Sequence, residues 1–202
     1  MPENPERTAA GTEEHGRYVN VVDVEATCWP GQPPPGQVNE IIEIGLCVVD
    51  LATRDRISSR GILVRPARST VSAFCTELTS LTPAQVATGV DFATACATLR
   101  AEERSDSRTW LSWGDYDRRQ FERQCGPGGV RYPFGARHVN LKAVFTEAHG
   151  LRRRPGMAAA LDIAGLRLEG RHHRGVDDAR NIAALLLHLL AAGHDPFADP
   201  TR

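Results

Sequence analysis

The stretch VVDVEATCWP, residues 21–30, places two carboxylates in a run that otherwise has the composition of a buried β-strand. Burying an unpartnered carboxylate costs on the order of several kcal/mol. Because side chains i and i+2 of a strand share a face, Asp23 and Glu25 point together, while Val22 and Val24 occupy the opposite face. Two such charges about 4 Å apart repel by roughly 4 kcal/mol in a partly buried setting. A divalent cation between them removes this repulsion, since Mg²⁺ prefers carboxylate oxygens. The alternative is a strand end at which both acids are hydrated.

The length of the chain, 202 residues, is enough for one domain with a substantial hydrophobic core. The N-terminal region is polar and rich in Pro and Glu, which predicts a disordered tail at 1–17, a single domain at 18–195 and a C-terminal tail at 196–202. No apolar run approaches the roughly 20 residues of a membrane span, and the N-terminal region lacks the apolar stretch of a signal peptide. These features predict a cytoplasmic enzyme without a membrane partner.

Charged residues and cysteines exclude several classes of protein. The formal net charge of -1 provides no overall attraction to a polyanion, so local arginines and bound metal would have to hold a nucleic-acid substrate. Lys142 is the only lysine and does not belong to a Gly-Lys-Ser/Thr motif, which excludes a P-loop ATPase. The 5 cysteines are scattered and form no CxxC pair, which argues against a disulfide framework or a structural zinc site and is typical of a reducing compartment.

The first third of the chain has the pattern of an antiparallel sheet. Three β-type runs at 18–26, 40–51 and 56–66 predict an antiparallel meander. The segment PGQPPPGQ, residues 30–37, cannot form regular structure and is therefore predicted to be a surface loop. Because it follows Glu25 closely, we expect this loop to rim any site that the two strand acids form.

Helical patterns dominate the rest of the chain. The sequence TPAQ, residues 82–85, is a capping box with Pro at the first helical position. Three antiparallel strands followed by alternating helices and strands predict an α/β domain with a mixed sheet flanked by helices. The further predicted elements are helices at 91–103, 117–126, 140–150, 156–166 and 177–193 and a fourth strand at 109–113.

The segment SWGDYD brings two more acids to a junction between a strand and a helix. Phe121 and Cys125 lie four and eight residues beyond Asp117, so these three residues share one helix stripe. Asp117 is therefore predicted to point toward the sheet. Asp115 precedes the helix, where an acid is favoured by the helix dipole, and we assign it that structural role.

The segment RHHRGVDDARN matches the spacing H-x4-D twice, as His172 with Asp177 and as His173 with Asp178. Helix phase separates the two matches, because steps of three and four residues from Asp178 follow an apolar stripe and those from Asp177 follow a more polar face. Asp178 is therefore predicted to face the strand acids, and Asp177 to cap the helix N-terminus. The apolar stripe consists of Ile182, Leu185, Leu186 and Leu189, and the more polar face consists of Asn181, Ala184 and His188.

These acids and histidines suit a metal-dependent phosphodiesterase. Such an enzyme needs carboxylates to hold its cations and a base to take a proton from the attacking water. Histidine, with an ordinary pKa of about 6.5, suits the base. Each acid alone is typical of a helix cap or a hydrated surface, but four acids and a histidine in this order favour catalysis.

The order of the motifs resembles a known family. The strand Asp-x-Glu, SWGDYD and HHRGVDDARNIA are similar to the DEDDh branch of the 3′–5′ exonucleases, which has the ribonuclease H-like fold. The resemblance extends from Tyr18 to about Leu190 and is greatest to the exonucleases related to the enhanced-RNA-interference nuclease and its bacterial counterparts. It implies two divalent cations, Mg²⁺ or Mn²⁺, and His173 as the general base. The implied metal-binding carboxylates are Asp23, Glu25, Asp117 and Asp178.

The resemblance also implies contacts with the substrate, and Ala26 would contribute its backbone. Trp29 would either stack on a base, which is worth about 1–3 kcal/mol, or pack the loop onto the sheet. Residues 74–81 would follow the substrate cleft, although Phe74 suits an apolar connection into the next helix, and Ser80 stands where the family often has glycine. The implied substrate-binding residues are Glu25, Ala26, Thr27, Trp29, Leu78, Leu81 and His173.

The predicted reaction is hydrolysis at a chain end. We expect release of nucleoside 5′-monophosphates from the 3′ end of single-stranded nucleic acid, with RNA favoured over DNA by the resemblance. The alternatives are a non-catalytic module of the same fold, from which a metal-binding acid is usually missing, and an enzyme restricted to very short oligonucleotides. Residues 152–154, three consecutive arginines, would either contact phosphates or be solvated, and Glu40 and Glu43 are predicted to be structural.

Overall fold

The computed structural model describes residues 16–198, which form a five-stranded sheet and seven helices. The strands are β1 (Tyr18–Ala26), β2 (Ile41–Asp50), β3 (Asp55–Leu63), β4 (Thr109–Ser112) and β5 (His138–Asn140). The helices are α1 (Ala73–Thr79), α2 (Pro83–Ala87), α3 (Phe92–Glu103), α4 (Tyr116–Gly128), α5 (Leu141–Ala148), α6 (Met157–Ile163) and α7 (Gly175–Ala191). No helix among these residues is long and apolar enough to span a membrane.

The sheet has the strand order β3-β2-β1-β4-β5. The strand β2 is antiparallel to both β1 and β3, which confirms the predicted meander, while β4 is parallel to β1 and β5 is parallel to β4. The strand with the two acids is therefore the central one. Its register places Asp23 opposite Gly45 and Glu25 opposite Glu43, and the pairing is irregular between Glu25 and Ala26.

The two faces of the sheet carry separate apolar clusters. Val22 and Val24 pack with α3 and α4, including the fully buried Phe121. Val19 and Val21 pack on the other face with the apolar stripe of α7 that the sequence predicts. Since side chains alternate along a strand, Asp23 and Glu25 continue the series of Val19 and Val21 and face α7.

The first turn of α7 lies directly on the backbone of β2. A Cβ atom at Gly45 would lie 1.9 Å from the carbonyl carbon of Gly175, so only glycine allows this approach. The buried carboxylate of Glu43 accepts hydrogen bonds from the Gly175 N–H at 2.8 Å and from the Arg174 guanidinium at 3.0 and 3.1 Å. This confirms the structural role predicted for Glu43 and fixes the start of α7 next to the central strand.

Two short elements were not predicted from the sequence. The helix α1 has Ser72 as its N-cap, and the Ser72 hydroxyl accepts a hydrogen bond from the Cys75 N–H at 3.0 Å. The strand β5 has only three residues, which is too few for a recognisable alternation, and it forms by parallel pairing with β4.

The ends of the domain also differ from the prediction. The assigned N-terminal tail included Arg17, but the Arg17 guanidinium pairs with the buried Asp50 at 2.7 Å. The assigned C-terminal tail included Phe197, which packs against the core on the α7 face. The rest of both predicted tails, residues 1–15 and 199–202, lies outside the described residues.

Candidate active site

The candidate site lies where the C-terminal end of β1 meets the N-terminal ends of α4 and α7. Asp23, Glu25 and Asp178 each offer a carboxylate oxygen, and these atoms lie within 4.8 Å of one another. Glu25 and Asp178 are buried, with 8% and 4% of their surfaces exposed. Three of the four predicted metal-binding acids therefore form one compact group of oxygen ligands.

The fourth acid, Asp117, lies in the first turn of α4. It is 4% exposed, and its Oδ1 accepts a hydrogen bond from the Val24 N–H at 3.0 Å. The inward orientation predicted from helix phase is thus confirmed. Asp115 takes the N-cap position by its backbone, but its side chain makes no capping hydrogen bond and instead accepts from Asn140 at 2.9 Å and Arg118 at 3.3 Å.

Asp178 lies in the first turn of α7 and points to the strand acids, as the apolar stripe predicts. Its Oδ2 accepts a hydrogen bond from the His173 N–H at 3.0 Å. The prediction that Asp177 caps this helix was wrong, because α7 already begins at Gly175. The Asp177 carboxylate accepts from the Arg171 N–H at 2.9 Å and so holds the preceding loop.

Both histidines of the HHRGVDD segment reach the site. The His173 Nδ1 lies 4.0 Å from Glu25 Oε1, and the His172 Nδ1 lies 2.9 Å from Asp178 Oδ2. The two rings stack with centroids 3.9 Å apart, and His173 has a left-handed backbone with φ of 65°. The sequence predicted a site position for His173 alone; the left-handed turn brings the neighbouring ring of His172 to the same side.

Burial and mutual repulsion dominate the electrostatics of the acids. Burial, followed by the charges of Asp117 and Glu25, raises the pKa of Asp23 well above its ordinary value. Burial and the charge of Asp178 raise the pKa of Glu25 to about 8, and burial raises the pKa of Asp117 to about 6. The raised pKa values show that nearby positive groups offset the negative charge of these carboxylates only in part, and their hard oxygen donors suit divalent cations.

The histidine nearest to Glu25 has the opposite shift. Burial, together with the neighbouring His172, lowers the pKa of His173. Its imidazole is therefore neutral at neutral pH and able to accept a proton.

The acids and histidines line a cleft of about 400 Å³. Predicted residues Ala26 and Leu78 lie on its wall. Residues that the prediction missed also line it, and two of them, Trp113 and Tyr116, flank Asp115 in the SWGDYD segment. The missed lining residues are Val24, Cys28, Trp113, Tyr116, Lys142, Gly156, Met157 and His172.

Three predicted substrate-binding residues do not line this cleft. Thr27 is completely buried, and its hydroxyl donates to the Val38 carbonyl at 3.0 Å and accepts from the Glu40 N–H at 2.9 Å. Leu81 is 1% exposed and belongs to an apolar cluster. Trp29 is half-buried beside the loop. The Thr27 side chain holds the segment before β2. Because none of its surface is exposed, Thr27 cannot contact the substrate as predicted.

The proline-rich loop also lies elsewhere than expected. No residue of 30–37 lines the cleft, and Pro33 instead lines a separate groove. The expectation that this loop rims the carboxylate site was therefore wrong, because the chain turns away from the cleft after Cys28. Glu40, at the end of this connection, accepts hydrogen bonds from three backbone N–H groups at 67–69, which confirms its predicted structural role.

The fold and the site together define a nuclease of the DEDDh class on a ribonuclease H-like fold. The family model described as Exonuclease matches residues 21–186 of the chain. The chain therefore belongs to this exonuclease family, and it is a 3′–5′ exonuclease.

Comparisons with individual proteins agree with this assignment. The 3′–5′ exonuclease Snipper of Drosophila melanogaster is 31% identical over 199 residues, which cover 87% of this chain and 70% of that protein. The human 3′–5′ exoribonuclease 1 is 28% identical over 186 residues, and the match spans 53% of its length. The solved nuclease domain of 3′hExo, a DEDDh family member bound to rAMP, has a TM-score of 0.81 and 26% identity, with coverage of 90% of this chain and 95% of that chain.

Proposed function

We propose that this exonuclease removes nucleoside 5′-monophosphates one at a time from the 3′ end of single-stranded RNA, with two divalent cations, Mg²⁺ or Mn²⁺, as cofactors. The observation that carries the proposal is the convergence of Asp23, Glu25, Asp117 and Asp178 with a neutral His173 in one cleft. Three buried acids and the partly buried Asp23 so close together would be destabilising unless cations are bound. Bound cations would lower the pKa of the attacking water and offset the charge that develops on the phosphate.

The protein groups have distinct roles in this reaction. Asp23, Glu25, Asp117 and Asp178 would hold the cations. His173, whose Nδ1 lies 4.0 Å from Glu25 Oε1, would accept the proton of the attacking water. Lys142 is the one lysine of the chain and lines the cleft, where its ammonium would meet a phosphate oxygen.

Contacts with the terminal nucleoside would come from the wall beside Glu25. Ala26 and the exposed Leu78 provide an apolar surface there, and Tyr116 provides an aromatic ring that is 51% exposed. A preference for RNA is supported by the human relative, named an exoribonuclease, and by a solved relative described as recognising the 3′ end of a histone mRNA stem-loop. The 5 cysteines are free, which supports a reducing compartment such as the cytoplasm.

A labelled-end assay tests the reaction. A single-stranded RNA labelled at its 5′ end should shorten to a ladder with Mg²⁺ or Mn²⁺, remain intact with EDTA, and remain intact when its 3′ end carries a phosphate. The matched control is Asp178→Asn, which should leave the RNA intact. Absence of a ladder on every RNA and DNA strand would contradict the proposal and favour a non-catalytic module.

Substrate length is the second variable. The enzyme should degrade a long single strand and the overhang of a duplex at least as readily as a dinucleotide. Turnover confined to the dinucleotide would instead identify an enzyme for very short oligonucleotides.

A further inference from the structure

A second cavity, of about 730 Å³, lies between the C-terminal half of α4, the start of α3 and the segments that flank β2 and β3. We call it the arginine groove, and six of its residues define it: Arg65, Arg68 and Arg123, which carry the positive charge, and Pro33, Val38 and Phe92, which form apolar wall. Pro33 is the one residue of the proline-rich loop at 30–37 that lines this groove. None of these six residues lines the active-site cleft.

The three arginines are exposed and come from two segments, Arg65 and Arg68 from the chain after β3 and Arg123 from α4. Arg65 donates to the Gly89 carbonyl at 3.1 Å and Arg123 donates to the Gln120 side chain. Within residues 16–198, none of the three forms an ion pair with a carboxylate. Their charge is therefore available to an anionic ligand.

The two carboxylates in the groove wall do not neutralise the arginines. Glu40 accepts from three backbone N–H groups at 67–69, at 2.7 to 3.0 Å. Asp91 caps α3, where its side chain accepts from the Thr94 N–H at 2.8 Å and from the Thr94 hydroxyl at 2.8 Å. Among the described residues neither acid forms an ion pair with these arginines, and three guanidinium groups against two carboxylates leave the groove with a net positive charge.

The groove also has the apolar surface that unpaired bases need. Val38 is 41% exposed, and Phe92 is half-buried with its ring beside Phe121 at 6.0 Å. A strip of cations next to apolar and aromatic side chains is typical of sites for single-stranded nucleic acid, in which the phosphates meet arginines and the bases meet apolar surface.

A single helix connects the groove to the active site. Tyr116 and Asp117 of α4 line the cleft, and Arg123 of the same helix lines the groove. Arg123 lies six positions after Asp117 in the helix, which corresponds to a rise of about 9 Å along its axis, or roughly three stacked nucleotides of a strand. The Thr27 hydroxyl fastens Val38 to the end of β1, so the groove wall and the metal-binding strand are held together.

We propose that the arginine groove binds the part of the substrate strand that lies 5′ of the nucleotides in the active-site cleft. This proposal rests on the proposed function, because it assumes that a single strand enters the cleft by its 3′ end. The groove would give the enzyme a preference for strands long enough to leave the cleft and reach α4. It also assigns a role to the proline-rich loop, whose stiff backbone would keep one groove wall in place.

The test neutralises the groove and leaves the cleft unchanged. The groove variant is Arg65→Gln, Arg68→Gln and Arg123→Gln, and the matched control is Arg54→Gln, Arg137→Gln and Arg167→Gln, which removes the same charge from exposed positions that line neither cavity. Turnover of a dinucleotide should be equal in both variants. The KM for a long single-stranded RNA should rise about tenfold in the groove variant alone.

Binding without turnover provides the second measurement. In EDTA, fluorescence anisotropy of a long labelled RNA should show about tenfold weaker binding for the groove variant. The slope of log affinity against log salt should fall by about 2, since each lost contact with a single strand removes roughly 0.7.

The outcomes separate this proposal from the proposed function. If the wild-type protein binds long RNA more tightly than the groove variant does but cleaves no strand, the proposed exonuclease activity is contradicted. The proposal that the groove binds RNA is then still supported. A groove variant with unchanged affinity and KM for long RNA overturns the groove proposal, and the groove would then hold another partner such as an acidic peptide. Equal losses of RNA affinity in the groove variant and the control variant also overturn the groove proposal, because the loss would then follow from the change in net charge.

Discussion

Individual side chains of the cleft are held in positions that are unfavourable without a ligand. Asp23 lies at the centre of the sheet, and burial with the charges of Asp117 and Glu25 raises its pKa well above the ordinary value. Asp178 is held by His172 and by the His173 backbone, although burial still raises its pKa. These side chains are preorganised for cations at the expense of stability.

Replacement of Asp23 by Asn should separate catalysis from stability. The amide keeps the shape of the side chain and removes one charge from the cluster. We expect turnover to fall by about a thousandfold or more, while the melting temperature in EDTA equals or exceeds that of the wild type. A variant that is both inactive and less stable in EDTA would contradict the role of Asp23 as a metal ligand.

The two stacked histidines should differ in their effect on rate. His173→Ala should reduce turnover by about 10² to 10⁴, which is the range for loss of a general base. His172→Ala should retain most activity, with at most about a tenfold loss from poorer orientation of Asp178. The pH profile of turnover distinguishes the two, because only His173→Ala should remove the fall in turnover at low pH that protonation of the base causes. A greater loss of turnover in His172→Ala than in His173→Ala would show that His172 is the general base.

At the scale of elements, the position of α7 depends on one glycine contact. Gly45 of β2 lets the backbone of Gly175 approach, and the Glu43 carboxylate holds the same turn. This contact places Asp178 against the strand acids. The catalytic geometry therefore depends on packing between a strand and a helix that are more than 100 residues apart in the chain.

Gly45→Ala should displace α7 from the sheet. A Cβ atom at this position would lie 1.9 Å from the Gly175 carbonyl carbon, which is incompatible with the backbone contact. We expect a loss of about 3 kcal/mol in the free energy of unfolding and loss of activity. The control is Gly126→Ala, where nothing lies within 4 Å and the substitution favours the helix. Denaturant unfolding of the two variants checks the difference.

At the scale of the whole molecule, the carboxylate cluster makes stability depend on pH. The pKa of Glu25 rises from an ordinary 4.5 to about 8 in the folded state, so between these values the folded protein holds more protons than the unfolded chain. Stability in EDTA should therefore fall as pH rises from 6.5 to 8, which lies above the ordinary pKa of histidine of about 6.5. Thermal melts should show this slope in the wild type and a smaller slope in Glu25→Gln, in which Asp23 still has a raised pKa.

Divalent cations should reverse this loss. A ligand that binds only the folded state stabilises it by about 2.7 kcal/mol at 100 times its dissociation constant. We expect Mg²⁺ or Mn²⁺ to raise the melting temperature most at pH 8, where the acids are ionised. A melting temperature that does not respond to either cation would contradict a metal site in this cleft.

The sequence by itself determined the longer strands and helices and the direction of the acids. Hydrophobic periodicity is a local property, so the alternation around Asp23 and the helix phase of Asp117 and Asp178 were readable without the fold. The family motifs added the ribonuclease H-like topology, which the sheet order confirms.

Only the tertiary structure decided which other groups meet these acids. Lys142 and Trp113 reach the cleft, Thr27 is withdrawn from it, and the loop at 30–37 lies along another groove. The turn at His173 also carries His172 to Asp178. The physical reason is that these positions follow from contacts between distant segments and from single backbone angles, neither of which leaves a periodic signal in the chain.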